Sequence, residues 1–330
     1  MRRRFYIIFT VFLFANLGIF AAIPNKYYVK VSGTGSGKSW NDAAGNLQQI
    51  IDQSKSDDTV FVAAGTYNVP SVGGKGFVMK EGVNVYGGFS GEGDKSYRSQ
   101  INPTRYITYL EGIQNSRILT QESEFQIQTE WGGFTMQNAS FSGDNIYGGV
   151  VYLQQGGRLW MTTIQNSTVS ASSSISGGAI YSNGGDVEYC TIKRIAGKAG
   201  TVYGTGIYNR NGRVSNSVVI NNSAEANAFF TNVVTAGGGI YNQNGTIINS
   251  IVAKNNAYAY ALAAAYSSGG GVYNQEGSII NCTIADNVSQ TRADAYTYTA
   301  GGGLYNQGVC NVANTIIWNN KTNSKPNDIY

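Results

Sequence analysis

The sequence predicts an all-β fold in which short strands wind into a solenoid, a parallel β-helix, with a short helix capping its N-terminal end. Glycine and tyrosine are abundant, with 43 and 23 copies in 330 residues, and both favour turns and strands over helix interiors. One glycine-rich phrase recurs at a nearly constant interval, which is typical of a solenoid. Only four prolines and 42% apolar residues argue against a disordered chain.

The first segment, residues 1–22, has the pattern of an export signal peptide. Three arginines at positions 2–4 precede an apolar run over Phe5–Phe20, and two alanines follow it. The alternative is an uncleaved N-terminal anchor, because the run approaches the roughly 20 residues that span a bilayer. We expect the mature chain, residues 23–330, to be extracellular or at the cell surface, with no further membrane span.

The segment 23–115 is predicted to contain the N-terminal cap and the first, irregular coils. Leu47, Ile50 and Ile51 have helical spacing, which predicts a short amphipathic helix covering the open end of the coil stack. An apolar strand is predicted at Thr59–Ala63. Further strand-like pieces lie at Gly76–Tyr86, Ser116–Thr120 and Trp131–Met136.

Residues 116–330 are predicted to form the regular coils, in one continuous domain with the preceding segment. A glycine-rich phrase that ends in tyrosine occurs six times, and its tyrosines lie 27 to 33 residues apart. They are Tyr152, Tyr181, Tyr208, Tyr241, Tyr273 and Tyr305. Such an interval has no room for strands and a long helix together, so successive units are expected to stack as parallel coils about 4.8 Å apart.

Polar residues recur in fixed columns after these tyrosines. One column contains Asn216, Asn249, Asn281 and Asn314, and a second contains Asn166, Asn222, Asn255, Asn287 and Asn319. Stacked asparagines form side-chain amide ladders, so these columns are predicted to be structural. Cys190 and Cys282 fall three coils apart, beyond the roughly 7 Å between Cα atoms that a disulfide allows. With Cys310 in another column, all three thiols are predicted to be free and mostly buried.

Taken together, these motifs resemble the right-handed parallel β-helix superfamily, the pectin-lyase-like fold. More narrowly, they resemble secreted bacterial β-helix proteins with polymorphic-outer-membrane-protein-like repeats. The resemblance covers nearly all of residues 26–320 and rests on Tyr27–Lys30, Gly35–Trp40, Val60–Tyr67, Gly82–Gly91, Trp131–Thr135, the Gly-Gly-Gly-x-Tyr-Asn repeats and Asn314–Asn319. It implies a right-handed solenoid. Because such proteins commonly continue past the last motif, the final coil here is expected to be uncovered.

The resemblance also raises polysaccharide lyase or glycoside hydrolase activity as an alternative to a non-catalytic role. Lyases of this superfamily hold Ca²⁺ with clustered carboxylates and use arginine or lysine as the base, and the hydrolases use paired carboxylates. The chain has no histidine, which excludes Ser-His-Asp and Cys-His catalysis and His-bound zinc. The candidate catalytic residues are Asp186 and Glu188, which flank one strand residue, and Arg292 and Asp294 in a loop. For each of them, a solvated surface charge is the alternative.

Other ligand classes lack support in the sequence. Without an Asp-rich loop, no metal or other cofactor is expected, except Ca²⁺ if the chain is a lyase. None of the glycine-rich phrases has the context of a phosphate-binding loop, so no nucleotide is expected. Only 13% of the residues are charged and no basic stripe occurs, which argues against nucleic-acid binding.

The longest inserts fall at the same place in three successive repeats, over residues 221–236, 255–268 and 286–300. They contain the candidate ligand-binding residues Phe229, Phe230, Tyr258, Tyr260, Tyr266, Tyr296 and Tyr298. Tyr266 and Tyr298 follow their repeat tyrosines at the same distance, so stacked inserts are expected to form an aromatic ridge. Such a ridge suits a polysaccharide or a surface glycoprotein, since tyrosine offers an apolar face and a polar tip. The alternative is that the tyrosines pack inward.

The sequence therefore favours an exported, non-catalytic β-helix scaffold that is adhesin-like or contacts glycans. A polysaccharide lyase or glycoside hydrolase is the first alternative, and a structural spacer is the second. Repetition favours the first interpretation, because each coil presents the same face again and binding becomes multivalent.

Overall fold

The computed structural model of the chain describes residues 23–70, 73–93, 96–228 and 230–330. Its strands wind into a parallel β-solenoid of about nine turns, which confirms the predicted fold class. The predicted signal peptide, residues 1–22, lies outside the described residues. Within the described part of the chain, no helix has the length and apolar character needed to cross a bilayer.

The elements alternate short strands with tight corners. The first part contains β1 (Lys26–Val29), the helix α1 (Leu47–Gln53), β2 (Thr59–Ala63), β3 (Gly65–Asn68), β4 (Phe77–Val78), β5 (Asn84–Phe89), a 3₁₀ turn at Arg98–Gln100, β6 (Thr108–Glu111), β7 (Leu119–Thr120), β8 (Thr129–Gly132) and β9 (Phe134–Gln137). The middle part contains β10 (Ser140–Tyr147), β11 (Val151–Gln154), β12 (Gly157–Trp160), β13 (Thr163–Ser176), β14 (Ile180–Asn183), β15 (Asp186–Glu188), β16 (Thr191–Ala199), β17 (Thr201–Tyr203), β18 (Ile207–Arg210), β19 (Arg213–Ser215), β20 (Val218–Ile220), β21 (Ser223–Ala228) and β22 (Val233–Ala236). The last part contains β23 (Ile240–Gln243), β24 (Thr246–Ile248), β25 (Ile251–Ala253), β26 (Asn256–Ala261), β27 (Ala264–Ser268), β28 (Val272–Gln275), β29 (Ser278–Ile280), β30 (Thr283–Ala285), β31 (Val288–Ala293), β32 (Tyr296–Ala300), β33 (Leu304–Gln307), β34 (Asn311–Ala313), β35 (Ile316–Trp318), β36 (Lys321–Thr322) and β37 (Lys325–Pro326).

Three sheets, parallel apart from the β36–β37 pair, form the walls of the solenoid. Sheet A has ten strands, β1, β2, β5, β8, β12, β15, β19, β24, β29 and β34. Sheet C has eight strands, β4, β7, β11, β14, β18, β23, β28 and β33, and the remaining 19 strands belong to sheet B. One coil passes through the sheets in the order C, A, B, as β23, β24 and β25 do. Like residues stack between coils, so that Tyr241 pairs with Tyr273 and Val252 with Ile284.

The core lies inside the solenoid, where each of the three sheets contributes one inward column of β-branched residues. In one coil Ile240, Ile247 and Val252 are fully buried, and Val272 and Ile279 repeat the arrangement in the next. Burial of each such side chain contributes about 1.5–3 kcal/mol to the free energy of folding. The apolar runs in the sequence are short because each strand supplies the core with few inward residues before the chain turns.

The corners of the coils need left-handed residues, which explains the glycine and asparagine content. Gly269 opens its phrase at a φ of 64°, where a Cβ atom would lie 2.3 Å from the carbonyl oxygen of Val272. Between sheets A and B, Asn249 has a φ of 49°, and asparagine tolerates this conformation better than most residues.

The buried amide ladder contains three of the predicted asparagines, and the other two predicted members lie one position away from it along the chain. Its members are Asn222, Asn255, Asn287 and Asn320, each of which accepts or donates across a coil at 3.0–3.1 Å. Asn166 and Asn319, which were predicted to belong to it, lie one position earlier, at left-handed corners with φ of 53° and 55°. The placement was wrong because the corner residue precedes the buried position and asparagine is common at both.

The N-terminal end of the solenoid is covered by a helix, and the C-terminal end is covered in part. At the N-terminal end, α1 buries Leu47, Ile50 and Ile51, and Asn46 caps it by accepting a hydrogen bond from the Gln49 amide at 3.1 Å. At the other end the chain folds back, so that Ile329 bridges to Leu304 at the edge of sheet C. The expectation of an uncovered last coil was therefore wrong at sheet C, whereas on sheet A the inward residue of that coil, Val312, is 37% exposed.

The three cysteines behave as the repeat predicts. All of them lie within the described residues and are free, with Cys190 and Cys282 buried and Cys310 partly exposed. Burial raises the pKa of the Cys190 thiol to about 12, so this thiol stays protonated and packs as a small apolar group.

Candidate functional site

The long inserts form a projecting two-layered structure, which we call the flange and define as residues 223–228, 233–236, 256–268 and 288–300. In each coil the chain runs outward in one strand and returns in a second, as β26 and β27 do. The outgoing strands β21, β26 and β31 pair in parallel, and so do the returning strands β22, β27 and β32. The inserts are therefore extra sheet layers that continue sheet B.

Alternation within the inserts determines which side chains face outward. The two layers pack through small residues, among them Ala259, Ala261 and Ala265, which are fully buried. The Ser267 hydroxyl joins the layers by donating to the Ala257 carbonyl at 3.0 Å. Because strand neighbours point to opposite faces, the tyrosines between the alanines face outward. The structure thus contradicts the alternative in which these tyrosines pack inward.

A continuous column of tyrosines runs along the outer face of sheet C. Seven rings stack on one another at centroid distances of 4.9–5.3 Å, from Tyr152 through Tyr181, Tyr208, Tyr241, Tyr273 and Tyr305 to Tyr330. We call these residues the tyrosine ladder. Their hydroxyls are held by a parallel row of glutamines. Tyr241 donates to Gln275 at 2.8 Å, and Tyr273 donates to Gln307 at 2.6 Å.

The flange and the tyrosine ladder enclose a groove with a volume of about 560 Å³. It is lined on the flange side by Tyr266 and Tyr298, at its base by Tyr203, and on the ladder side by Tyr241 and Tyr273. Tyr203 contacts Tyr241 edge-on at 5.2 Å at the base of the groove, which connects the two walls. The remaining lining residues are small or neutral, namely Asn232, Val234, Thr235, Ala236, Ser268 and Gln307.

The groove is aromatic and uncharged. None of the described residues that line it is acidic or basic. Burial raises the pKa of Tyr208 and of Tyr273 to about 12 and also raises the pKa of Tyr241. The hydroxyls therefore remain protonated at neutral pH, and each can both donate and accept a hydrogen bond.

The structure brings together only part of the predicted aromatic ridge. Tyr266 and Tyr298 pair in register on the groove face, and Tyr296 lies 5.9 Å from Tyr266 on the same face. Tyr258 and Tyr260 belong to the outgoing layer and face the opposite side of the flange, where Arg292 lies 5.8 Å from the Tyr260 ring. Of the remaining two candidates, Phe230 is 89% exposed and Phe229 lies outside the described residues.

The candidate acids Asp186 and Glu188 lie on sheet A, away from the groove. They flank the buried Val187 and face the same side, as predicted. Glu188 forms an ion pair with Arg158, and burial raises the pKa of Asp186 while Arg158 and Arg213 oppose the shift. These carboxylates are therefore matched by arginines on the neighbouring strands.

The other two catalytic candidates lie on the flange. Arg292 is exposed on the strand β31, so its predicted placement in a loop was wrong, and Asp294 is exposed at the turn between β31 and β32. The described residues contain no group of three or more acidic or cysteine side chains that could hold a metal ion.

Sequence reasoning missed the ladder side of the groove, because the repeat tyrosines were used only to measure the period of the coils. A usable signal was present in the phrase itself. In Gly-Gly-Gly-Ile-Tyr the isoleucine is the inward residue of a strand, so the tyrosine after it must face outward. The position of that outward face opposite the inserts could not be predicted from the phrase, because it depends on how the chain returns from sheet B to sheet C.

Comparison with known proteins gives similarity to solved structures alone. No family model matches the chain, and no curated protein does. A rhamnogalacturonan lyase is 12% identical, over 88% of this chain and 87% of that one, with a TM-score of 0.36. Pectate lyase Pel9A is 13% identical, over 92% and 79%, with a TM-score of 0.35. The A-module of the Azotobacter vinelandii mannuronan C-5 epimerase AlgE4 is 14% identical, over 82% and 88%, with a TM-score of 0.26.

Proposed function

We propose that the protein is an exported, non-catalytic scaffold that binds neutral glycans in the groove between the flange and the tyrosine ladder. The observation that carries the proposal is the lining of this groove, in which five tyrosines from two walls converge on uncharged surroundings. Sugar rings present C–H faces that lie flat on aromatic rings, and their hydroxyls bond to phenolic and amide groups. In the groove, the partly exposed Tyr266 and Tyr298 are the rings on which a sugar would lie. The ladder tyrosines present edges and hydroxyls, because their faces are covered by stacked neighbours.

The lining also supports the choice of a neutral ligand. An anionic polymer needs cations to offset its desolvation, and no basic residue is among the described residues that line the groove. Hydrolysis needs an acid and a base on the two sides of the scissile bond, and the lining contains no carboxylate. The groove therefore suits binding better than cleavage.

The repeat supports attachment along an extended chain. Ladder ring edges recur every 4.9–5.3 Å along the solenoid, and Tyr266 and Tyr298 lie in register on neighbouring coils. A polysaccharide that follows the axis would therefore meet similar contacts from one coil to the next. Individually weak contacts then add up, as in other multivalent systems. A surface-exposed glycan outside the cell fits the export pattern of residues 1–22.

The test is a comparison of two double variants on opposite faces of the flange. The purified protein is run through native gels that contain glucomannan, β-glucan, xylan, pectate or alginate, and the polymers are then sized. We expect retardation by a neutral polymer without shortening of any polymer. The variant Tyr266→Ala/Tyr298→Ala should lower the affinity about tenfold or more, which corresponds to about 1.4 kcal/mol.

The variant Tyr258→Ala/Tyr260→Ala is the matched control, because it removes two rings from the same flange but not from the groove. It should retain the affinity of the parent protein. An equal loss in both variants would place the site outside the groove, and shortening of any polymer would show that the protein is an enzyme. Retardation by none of the polymers would overturn the glycan-binding proposal.

A further inference from the structure

A second pocket lies at the corner between sheets A and B, apart from the groove between the flange and sheet C. Its volume is about 540 Å³. The lining residues are Pro103, Trp160, Met161, Thr162, Thr163 and Tyr189. None of them belongs to the groove or to the residues that the sequence singles out, so the proposed function leaves this pocket unexplained.

Trp160 forms the floor of this pocket as a fixed aromatic platform. Its partner in the preceding coil is Gly132, where a Cβ atom would lie only 2.8 Å from Cε3 of the indole. The missing side chain lets the indole lie against sheet A. The guanidinium of Arg98 sits 3.9 Å from the ring centroid, and Arg98 is itself held by two bonds to the buried Glu130, at 2.7 and 3.1 Å.

The pocket coincides with two exceptions in the column of corner residues. At this corner four successive coils use asparagine, at Asn216, Asn249, Asn281 and Asn314, with φ between 49° and 54°. The two coils that line the pocket have Met161 and Tyr189 instead, at φ of 43° and 53°. Left-handed backbone is unfavourable for such side chains, so these two residues make the fold less stable than asparagine would at the same positions.

Tyr189 is also an exposed ring, with 54% of its surface accessible. A bulky aromatic residue that is both strained and exposed gains little from packing in the free protein. Departures of this kind from a local rule concentrate at binding sites, where the side chain serves a ligand.

We propose that this corner pocket is a second carbohydrate site, which binds a short neutral oligosaccharide between Trp160 and Tyr189. The charges beside it are balanced, since Arg98 pairs with Glu130 and Arg158 pairs with both Glu130 and Glu188. A charged ligand would find no unpaired charge among these four side chains. The hydroxyls of a neutral sugar can share the accessible edges of Arg158 and Glu188, which are 24% and 17% exposed.

The experiment monitors Trp160 directly. Trp40 and Trp131 are buried, and Trp318 is 66% exposed, so the substitution Trp318→Phe leaves Trp160 as the accessible tryptophan of the described chain. The full protein with this substitution is titrated with cellohexaose, mannohexaose and chitohexaose while acrylamide quenching of fluorescence is measured. We expect at least one of these neutral probes to protect Trp160 from quenching.

The informative variant is Tyr189→Asn, because it restores the corner residue of the other coils and removes the ring. We expect it to raise the midpoint of thermal unfolding. We also expect the probe concentration that half-protects Trp160 from quenching to rise at least tenfold. Met161→Asn should raise the midpoint in the same way. A lower midpoint for Tyr189→Asn would show that the ring serves packing, which would overturn the proposal.

The test of the corner pocket is independent of the test of glycan binding in the groove. Tyr266→Ala/Tyr298→Ala should leave the protection of Trp160 unchanged, whereas Tyr189→Asn should leave the groove-dependent retardation in gels unchanged. Absence of protection with all three probes, or protection that persists in Tyr189→Asn, would overturn the second site while leaving the groove proposal intact.

Discussion

Asn255 shows how one polar side chain is satisfied inside the solenoid. Its Nδ2 donates to the Val219 carbonyl and to Asn287 Oδ1, both at 3.0 Å. Its Oδ1 accepts from the backbone amide and from Nδ2 of Asn222, both at 3.0 Å. The residue is almost fully buried, so each of these groups would otherwise be a desolvated donor or acceptor.

Replacing this residue tests the ladder at the scale of a single side chain. Asn255→Ala should lower the free energy of unfolding by about 2–5 kcal/mol, because several buried polar groups lose their partners together. Chemical denaturation measures the change. The control is Asn249→Ala, an exposed asparagine of the same repeat that should cost about 1 kcal/mol, mainly through its left-handed φ, since its side-chain bond to Asn216, at 3.4 Å, is exposed to solvent. Equal losses would show that the buried ladder asparagine contributes no more to stability than an exposed corner asparagine.

Among the elements, the tyrosine ladder combines packing with a latent sensitivity to pH. Its rings stack almost parallel, with interplanar angles of 8° between Tyr208 and Tyr241 and 6° between Tyr241 and Tyr273. Burial raises the pKa of Tyr208 and Tyr273 to about 12, whereas unfolded tyrosines ionise near their ordinary value of about 10. The folded state therefore holds these protons longer than the unfolded state does.

The sign of the resulting pH dependence follows from this difference. The contribution of the ladder is complete below about pH 10 and is lost as the pH rises toward 12, because the unfolded chain releases its protons first. We expect a loss of about 1 kcal/mol per tyrosine, a value reduced for partial exposure of the rings. Tyr208→Phe/Tyr273→Phe should flatten the fall of stability in that range, as measured by denaturation at successive pH values. An unchanged slope would contradict the assignment.

The sequence predicts the elements better than it predicts their association. Local spacing is enough to place α1, through Leu47 and Ile50, and to place the strand at Thr59–Ala63, because both depend on neighbours along the chain. The groove depends on two non-local facts, the return of the inserts as a second layer and the outward face of sheet C. Counting from the repeat tyrosine also fails at one coil. Tyr152 pairs with Tyr181, whereas Trp160 pairs with Glu188, so one coil carries an extra residue between these points.

At the scale of the whole molecule, each coil contacts its neighbours and the stack depends on how its ends are closed. The C-terminal residues imitate one further coil of sheet C. The Tyr330 amide donates to the Leu304 carbonyl at 3.0 Å, and the Tyr330 carbonyl accepts from the Asn306 amide at 3.0 Å. The Tyr330 ring ends the tyrosine ladder 5.2 Å from Tyr305. Asp328 ends the buried asparagine ladder by accepting from the amide and from Nδ2 of Asn320, at 2.8 and 2.9 Å.

This closure predicts a local effect when it is broken. Asp328→Ala removes the acceptor for two buried donors of Asn320, so the last coil should open more often while distant coils stay closed. Hydrogen exchange should increase in residues 302–326 and remain unchanged before about residue 240, since solenoid coils are stabilised by their neighbours. Asp294→Ala is the control, because it removes the same charge from an exposed turn of the flange. Faster exchange along the entire chain would mean that the solenoid unfolds as one unit, and unchanged exchange in the last coil would mean that Asp328 does not close it.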